Sequence, residues 1–375
     1  MEPAYLDYNA TTPVDERVIE AMLPWFRTPS NAGSRTHSFG QSAKNAIDRA
    51  REQIAVVVGG APEDIVFTSG ATESNNLALL GLERYGKRSG RTHIISTSIE
   101  HKAVLEPLDR LSEEGFEIEL VPVTSGGYVD PDEITKRLRP ETLLVSVMHA
   151  NNETGVLQPI EEIAQSLATT PVLFHTDAAQ TFGKVRSLKD IPFDFASISG
   201  HKIYGPQGIG ALCVRRKKID RREIRSLTSG GGQERGLRPG TVPVALTVGL
   251  GMAAELALRE CDARNEAAAA VKVEFLREFG GIEFNVNGDQ DRTLPHVLNV
   301  CFPDIDSEAL MMALRDIAAI SNGSACTSNH YSPSHVLAAM GFDEERISSS
   351  VRLSWGFGML QSSVERLVSG LQRLS

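Results

Sequence analysis

The stretch FDFASISGHKIYGPQGIGALCV, residues 193–214, holds two apolar runs joined by a glycine-rich turn that carries Lys202. Short apolar runs bounded by glycine are typical of buried strands. A lysine among apolar groups and glycines loses solvation, so its pKa falls and its amine becomes nucleophilic. The stretch therefore predicts a buried sheet whose strand-end turn presents a reactive amine.

Similar apolar runs lie upstream, and longer segments of mixed period separate several of them. This alternation predicts βαβ units and a mainly parallel sheet that is buried on both faces. Ligands of such sheets bind at the carboxyl ends of the strands. The predicted strands are 64–70, 92–98, 142–150, 171–179, 193–200 and 208–214, and helices are expected at 72–90 and 160–170.

The chain is long enough for two domains, with 375 residues of which 41% are hydrophobic and 23% charged. Long helical segments follow residue 255, so we expect a large domain at 15–255 and a smaller α+β domain formed by 1–14 and 256–375. A net charge of -10 repels a polyanion and disfavours direct binding of nucleic acid. The basic stretch RRKKIDRREIR, residues 215–225, is expected to be a solvated face.

No part of the sequence predicts a membrane segment. The N-terminus lacks the basic and then apolar pattern of a signal peptide. The apolar run at 242–258 is shorter than the ~20 residues that span a bilayer, and a buried helix is expected there. We therefore expect a cytoplasmic protein.

The four cysteines, Cys213, Cys261, Cys301 and Cys326, are far apart in the sequence. They form no CxxC pair and no zinc-ligand spacing, so neither a disulfide framework nor a metal site is predicted. Cys213 and Cys301 have the apolar neighbours of a structural cysteine. Cys326 lies instead in the polar stretch SNGSACTSNHYS, which makes it the candidate nucleophile.

Small and polar residues follow several of the predicted strands. Ala71 and Thr72 open a helix, whose free N–H groups suit a phosphate, although an ordinary N-cap explains them as well. Asp177 ends another strand and precedes Lys202 in the sequence. An amine and an acid are the groups that pyridoxal phosphate needs. From spacing alone, a structural ion pair between Asp177 and Lys202 remains the alternative.

Several motifs occur in one order: LDYNATTPVD, FTSGATESNN, EHKAVLEPL, VMHANNETG, HTDAAQTFGK, SGHKIYGPQGIGAL, GGGQERGLRPGT and NGSACTS. Together they resemble the cysteine desulfurases of the class V aminotransferase group, the NifS/IscS-like family, over nearly the whole chain. The resemblance implies an α/β fold, type I of the pyridoxal-phosphate-dependent transferases. In this fold a mainly parallel seven-stranded sheet is flanked by helices, and a smaller α+β domain is added. It also implies a homodimer with the active site at the subunit interface.

The resemblance assigns roles to single residues. Lys202 would hold pyridoxal phosphate, His101 would stack on its ring and handle protons, and Asp177 would pair with the ring nitrogen. Asn152 would lie beside the ring and the substrate carboxylate, and Arg352 would clamp that carboxylate with two parallel hydrogen bonds. The other implied contacts are with the phosphate, from Ala71, Thr72, Ser199, His201 and Thr241 of the partner subunit, and with the ring hydroxyl, from Gln180.

The implied reaction removes sulfur from L-cysteine. Lys202 would move the α-proton, and the thiolate of Cys326, favoured by His101, would attack the substrate sulfur. The products would be L-alanine and a persulfide on Cys326, passed to a sulfur-acceptor protein. Iron–sulfur cluster assembly, tRNA thiolation and DNA phosphorothioation are the destinations left open. A selenocysteine lyase or a class V aminotransferase of the same fold is the alternative, and it should tolerate loss of Cys326 better.

Overall fold

The computed structural model describes residues 3–215, 218–323, 333–359 and 361–373. Its strands are β1 (Ala4–Tyr5), β2 (Ile65–Thr68), β3 (His93–Thr97), β4 (Glu117–Val121), β5 (Thr142–Ser146), β6 (Leu173–Asp177), β7 (Phe195–Ser199), β8 (Gly210–Val214), β9 (Asn285–Asn287), β10 (Val297–Cys301), β11 (Ala318–Ala319) and β12 (Ser350–Ser354). Its α-helices are α1 (Glu16–Arg27), α2 (Ser38–Val58), α3 (Ala71–Leu80), α4 (Glu83–Ser89), α5 (Lys102–Glu113), α6 (Pro131–Thr135), α7 (Ile160–Ser166), α8 (Val244–Glu278), α9 (Ser307–Leu314), α10 (His335–Ala339), α11 (Glu344–Ser348) and α12 (Gln361–Leu371).

A seven-stranded sheet in the order β2-β8-β7-β6-β5-β3-β4 forms the centre of the molecule. The pairings from β7 through β4 are parallel, and β8 runs antiparallel to both of its neighbours. All residues of β5, β6 and β7 are buried, because helices cover both faces of the sheet. The predicted mainly parallel sheet and its six predicted strands are confirmed.

The strand directions place the strand-end turns together. Since β2 and β7 are both antiparallel to β8, β2 points the same way as β7 and its parallel neighbours. The carboxyl ends of β2, β3, β5, β6 and β7 therefore lie along one edge of the sheet, where ligands of α/β sheets bind. We call this the ligand edge.

The single helix predicted at 72–90 is wrong, because the chain forms α3 and α4 with a break at Gly81. Arg225 donates its backbone N–H to the Gly81 oxygen at 2.9 Å. A side-chain carbon on Gly81 would lie 2.9 Å from the Ile224 side chain. The segment around Ile224 therefore packs directly on the backbone of Gly81, a long-range contact that the local pattern does not reveal.

The 35-residue helix α8 runs through the predicted domain boundary at residue 255. Its first half, including Leu250 and Leu256, packs in the core beneath the central sheet, and Phe275 packs in a second core. That second core also contains Leu6 and residues of β10 and β12. The division into a large and a small domain stays a prediction. In the described part of the chain, no helix combines the length and the apolar character of a bilayer span.

Candidate active site

The ligand edge collects most of the residues that the sequence predicted for the site. Each of these residues stands at or just after the end of a strand, so the sheet order fixes which of them are neighbours. They are Ala71 and Thr72 after β2, His101 after β3, Asn152 after β5, Asp177 and Gln180 at β6, and Ser199, His201 and Lys202 at β7.

Lys202 points its amine at the N-terminal segment of the chain. Its Nζ donates to the backbone oxygen of Ala10 at 2.7 Å and to that of Asn9. Carbonyl oxygens are the acceptors that an ammonium group requires away from bulk water. The N-terminal segment thus holds the amine at the ligand edge.

The turn that carries Lys202 is fixed by the same N-terminal segment. The oxygen of His201 accepts hydrogen bonds from the backbone N–H and from the hydroxyl of Thr12, at 2.9 and 3.0 Å. Tyr204 has a φ of 64°, which is unusual for an aromatic residue, and its N–H donates to the Thr12 hydroxyl at 2.8 Å. Such backbone strain persists only where its surroundings hold it.

Asp177 is buried with 6% exposure, and its carboxylate has two described donors. Oδ2 accepts from Nδ2 of Asn75 at 2.7 Å, and Oδ1 accepts from the N–H of Ala179 at 2.9 Å. Asn75 is fully buried on α3, the helix that starts at the predicted phosphate site. Asn75 was not among the predicted site residues, although the paired amides in ATESNN are a signal that could have indicated it.

The start of α3 can hold an anion. Its N-cap residue, Gly70, offers no side-chain hydrogen bond, so the first N–H groups remain available. A side-chain carbon on Gly70 would meet nothing within 4 Å, which leaves the space in front of the turn open. Ala71 and Thr72 therefore suit a phosphate.

The segment that contains Thr241 lies at the protein surface. Thr241 is exposed, and nearby Arg238 donates through Nε to Oε1 of Glu73 at 3.0 Å. Glu73 stands in the first turn of α3. The predicted contact of Thr241 with the phosphate in a partner subunit stays a prediction.

His101 is the N-cap residue of α5, and its Nδ1 accepts the N–H of Ala103 at 3.0 Å. The neutral ring then carries its proton on Nε2. Burial lowers the pKa of His101, and the charges of Lys202 and His335 lower it further, against an opposing effect of Asp177. The ring is therefore neutral near pH 7, and taking up a second proton requires loss of the helix cap.

Arg352 reaches the site from β12 and is 4% exposed. Its Nη1 donates to the oxygen of Asn152 at 2.9 Å, and its Nη2 pairs with Oδ1 of Asp7 at 2.5 Å. Its Nε is buried and has no partner among the described residues. A buried donor without an acceptor costs free energy. A substrate carboxylate bound beside Arg352 would supply the missing acceptor. Asp7 was not among the predicted site residues, although the motif LDYNATTPVD that contains it was an available signal.

The side-chain amide oxygens of Gln180 and Asn9, which lie near Arg352 and Asn152, accept no hydrogen bond from the described residues. Nε2 of Gln180 donates to the oxygen of Asn9 at 3.1 Å, and Nδ2 of Asn9 donates to the oxygen of Asn152 at 3.0 Å. Both side-chain oxygens are buried without a partner in the described structure. These orphan atoms, the uncapped start of α3, Asp177 and Lys202 fit pyridoxal phosphate. That Gln180 donates to the ring hydroxyl stays a prediction.

Cys326, the predicted nucleophile, lies outside the described residues. The three cysteines within them, Cys213, Cys261 and Cys301, are buried. Burial raises the pKa of each thiol, that of Cys213 to about 12. A thiol in such surroundings is a poor nucleophile, because the thiolate is the reactive form.

Comparison with known proteins agrees with this geometry. The family model for class-V aminotransferases matches residues 4–367. The chain is 47% identical to a cysteine desulfurase IscS of Anaeromyxobacter dehalogenans over 99% of this chain and 91% of that protein. The solved structure of a NifS-like protein superposes with a TM-score of 0.91 at 36% identity, over 100% of this chain and 99% of that one. The structure of SspA in complex with cysteine gives a TM-score of 0.82 at 38% identity, over 94% and 98%.

The chain therefore belongs to the class-V aminotransferase family. Within that family it groups with the NifS/IscS-like proteins, and its activity is that of a cysteine desulfurase. Pyridoxal phosphate is its cofactor and L-cysteine its substrate. The expected fold type is confirmed, and the alternatives of a selenocysteine lyase or an aminotransferase are not favoured.

Proposed function

We propose that Cys326 receives the sulfur atom of L-cysteine as a persulfide, and that the residues of the ligand edge prepare the substrate for this transfer. The observation that carries the proposal is the placement of Arg352. Its buried guanidinium has an unpaired Nε and contacts the same Asn152 turn that Asn9 contacts. A carboxylate held there lies at the edge that also presents Lys202.

Arg352 and Asn152 bind and orient the substrate. The guanidinium attracts the carboxylate, and its unpaired Nε–H can donate a hydrogen bond that orients the carboxylate. Pyridoxal phosphate, when bound, supplies an electron sink that stabilises negative charge on the substrate's α-carbon. Lys202, which holds the cofactor at rest, then moves the proton at the α-carbon.

The other proposed cofactor contacts come from residues near the carboxyl ends of the strands. Ala71, Thr72, Ser199 and His201 hold the phosphate, together with Thr241 of the partner subunit. Asp177 pairs with the ring nitrogen, and Asn75 keeps that carboxylate in place. His101 stacks as a neutral ring, which suits contact with a flat aromatic group.

The sulfur transfer balances without an external oxidant. The Cys326 thiolate attacks the substrate sulfur, an S–S bond forms, and the C–S bond breaks with its electrons left on the carbon skeleton. Two protons then complete L-alanine. The net result is that one sulfur atom moves from L-cysteine to Cys326.

The active unit that we propose is a homodimer. Leu23 and Phe26 on α1 and Phe39 on α2 have exposed fractions of 40%, 65% and 52%. Large exposed apolar side chains of this kind mark interaction surfaces. A dimer would cover them and bring Thr241 to the partner's phosphate site.

The persulfide would be passed to an acceptor protein, in iron–sulfur assembly or in a dedicated thiolation pathway. A free catalytic thiol persists more readily in a reducing compartment, where disulfides are rare. The described cysteines are all free thiols, which is consistent with the cytoplasm as the proposed location.

Release of L-alanine and formation of protein persulfide from L-cysteine test the proposal. Wild type with pyridoxal phosphate should give both products. Cys326→Ser should keep the absorbance band of the bound cofactor and lose the persulfide. The matched control is Cys261→Ser, whose hydroxyl can keep the contact of the thiol with the Lys184 oxygen at 3.4 Å, and it should behave as wild type. Persulfide formation by Cys326→Ser at the wild-type rate would refute the assignment.

A further inference from the structure

Arg238 and Glu73 form an ion pair that the mechanism above does not use. Nε of Arg238 donates to Oε1 of Glu73 at 3.0 Å, and the two side chains are 28% and 25% exposed. Glu73 stands in the first turn of α3, and its Oε2 accepts the N–H of Ser69 at 2.6 Å. The carboxylate of Glu73 is therefore held against the turn between β2 and α3.

A negative charge on Glu73 opposes the role that we propose for this turn. The first N–H groups of α3 suit an anion, and Ala71 and Thr72 are the residues proposed to hold the cofactor phosphate. A carboxylate in the same turn repels a phosphate, because both groups are negatively charged. The N–H of Ser69 needs only an acceptor, and the amide oxygen of a glutamine would supply one without the charge.

The contacts of Glu73 nevertheless favour its charged form. Burial alone would raise the pKa of Glu73, but the hydrogen bonds from Ser69 and the pairing with Arg238 lower it overall. Glu73 is therefore ionised near pH 7, where an arginine is positively charged. The two charges cancel within the pair, so the turn keeps its attraction for an anion as long as Arg238 is present.

The segment that carries Arg238 is anchored on β2. Glu234 is 6% exposed, and its Oε2 accepts from Nη1 of Arg51 at 2.8 Å and from the N–H of Phe67 at 2.8 Å. Glu234 and Arg235 have φ angles of 47° and 59°. A backbone of this kind persists in residues other than glycine only where the surroundings hold it. These contacts restrict where the following residues, including Arg238, can lie.

The contacts of Glu234 and Arg238 lie on the two sides of one turn. Phe67 belongs to β2, which leads into the turn, and Glu73 belongs to α3, which follows it. The segment 234–238 therefore spans the turn from outside. It brings a guanidinium to the acid of the first helical turn, at the place where that acid would otherwise repel an anion.

We propose that Arg238 is a positioning residue for the cofactor phosphate, because it neutralises Glu73 and so keeps the first turn of α3 attractive to an anion. This role rests on the proposed function, in which the phosphate binds at Ala71 and Thr72. Arg238 acts here within its own chain. Neither Cys326 nor Thr241 of a partner subunit takes part in this role.

Equilibrium binding of pyridoxal phosphate to the apoenzyme, followed by the absorbance of the bound cofactor, tests the role of Arg238. Arg238→Met should raise the dissociation constant about fivefold, since it leaves the charge of Glu73 unpaired. Glu73→Gln should bind the cofactor at least as tightly as wild type. The double variant Glu73→Gln with Arg238→Met should return to within about twofold of wild type, because the charge that Arg238 neutralises is gone.

Pyridoxal, which lacks the phosphate, shows whether the effect is specific to that group. Its dissociation constant should differ by less than about twofold between Arg238→Met and wild type. The control is Arg222→Met, which removes the same charge from an exposed pair with Asp220. Arg222→Met should leave the binding of pyridoxal phosphate unchanged.

A wild-type dissociation constant in Arg238→Met, or a double variant that binds as weakly as Arg238→Met, would overturn the role of Arg238. An equal loss for pyridoxal would overturn it too, because Arg238 would then support the site in general. If Arg238→Met binds no cofactor, the double variant decides the matter: recovered binding supports neutralisation of Glu73, and absent binding refutes it.

Thr72→Val separates this role from the proposed function. Unchanged binding of pyridoxal phosphate by Thr72→Val would count against the phosphate site at the start of α3. Weaker binding by Thr72→Val, together with wild-type binding by Arg238→Met, would refute only the role of Arg238.

Discussion

Glu100 and His101 are neighbours in the sequence, and burial keeps both of them uncharged near neutral pH. Glu100 has 0% exposure, and its Oε1 accepts from the hydroxyl of Thr97 at 2.8 Å and the N–H of Met148 at 2.9 Å. Burial raises the pKa of Glu100 to about 8, while burial lowers that of His101. Removal from water disfavours the charged form of an acid and a base alike. Glu100 therefore joins the ends of β3 and β5 without adding a full negative charge near Asp177.

Glu100→Gln should change how stability depends on pH. The pKa of Glu100 is about 8 in the folded protein against an ordinary value of 4.5. Protonated Glu100 therefore adds to the free energy of unfolding below pH 4.5, and this contribution is lost as the pH rises toward 8. The slope is at most about 1.4 kcal/mol per pH unit. The melting temperature of Glu100→Gln minus that of wild type should therefore rise from about pH 5 to about pH 8. Thermal unfolding at both pH values measures it.

The control is Glu113→Gln, a change at an exposed acid near the end of α5. Its difference in melting temperature from wild type should stay the same across the range. A constant difference for Glu100→Gln as well would mean that the carboxyl group is ionised in the folded protein.

The sequence motifs predicted the candidate site residues, whereas their hydrogen-bond partners became visible only in the folded structure. Lys202 and Asp177 stand at strand ends that the apolar runs mark clearly. Asn75 was missed because its partner, Asp177, is 102 residues away. Asp7 was missed because Arg352 is 345 residues away. A local pattern shows that a side chain is polar, but the partner of that side chain is set by the fold.

Among the elements, β8 shapes the start of α3, where we propose that the phosphate binds. A side-chain carbon on Gly210 would lie 2.4 Å from the oxygen of Ile198 and 2.7 Å from Cα of Gly70. These are backbone atoms of β7 and of the turn before α3, so they cannot move aside cheaply. The absence of a side chain at Gly210 lets the turn approach the sheet closely.

Gly210→Ala should therefore displace the turn before α3. We expect a loss of about 1–3 kcal/mol in stability, as for other overpacked sites, together with weaker binding of pyridoxal phosphate. Melting temperature and cofactor dissociation on dialysis are the measurements. Gly280→Ala is the matched control, because a carbon there meets nothing within 4 Å. Tight cofactor binding by Gly210→Ala would show that the close approach of β8 is unimportant for the phosphate site.

Strands were predicted more accurately than helices, for a physical reason. Six of the seven strands of the central sheet, all except the edge strand β4, are buried along their whole length and read as short apolar runs. For the region of α8, the sequence predicted a buried helix at 242–258 and a long helical pattern after residue 255, because the first run is nearly all apolar and the residues that follow are charged. The two halves pack in different cores, so the change in pattern reflects the surroundings of one helix.

For the whole molecule, the proposed dimer makes a prediction about shared active sites. If Thr241 acts on the phosphate of the partner subunit, one complete site needs Lys202 from one chain and Thr241 from the other. A heterodimer of Lys202→Ala and Thr241→Val chains would then contain one intact site. Its desulfurase activity should be about half that of wild type, whereas each homodimer should be defective.

Differently tagged chains, co-expressed and purified by both tags, provide the heterodimer. The control pairs Lys202→Ala with Asp177→Ala, two changes that affect sites within their own chains, and it should stay inactive. An inactive heterodimer of Lys202→Ala and Thr241→Val would show that Thr241 acts within its own chain, and an active Thr241→Val homodimer would show that the site does not need Thr241.

The N-terminal segment has a consequence for how the protein is made. β1 pairs with β11, and the N–H of Asn9 binds the hydroxyl of Ser354 at 2.9 Å across 345 residues. At the ribosome's pace of ~5–20 residues per second, Asn9 waits on the order of tens of seconds for that partner to be synthesised. The carbonyls that hold the Lys202 amine belong to this waiting segment. We therefore expect the cofactor to be captured late, after nearly the entire chain has been translated.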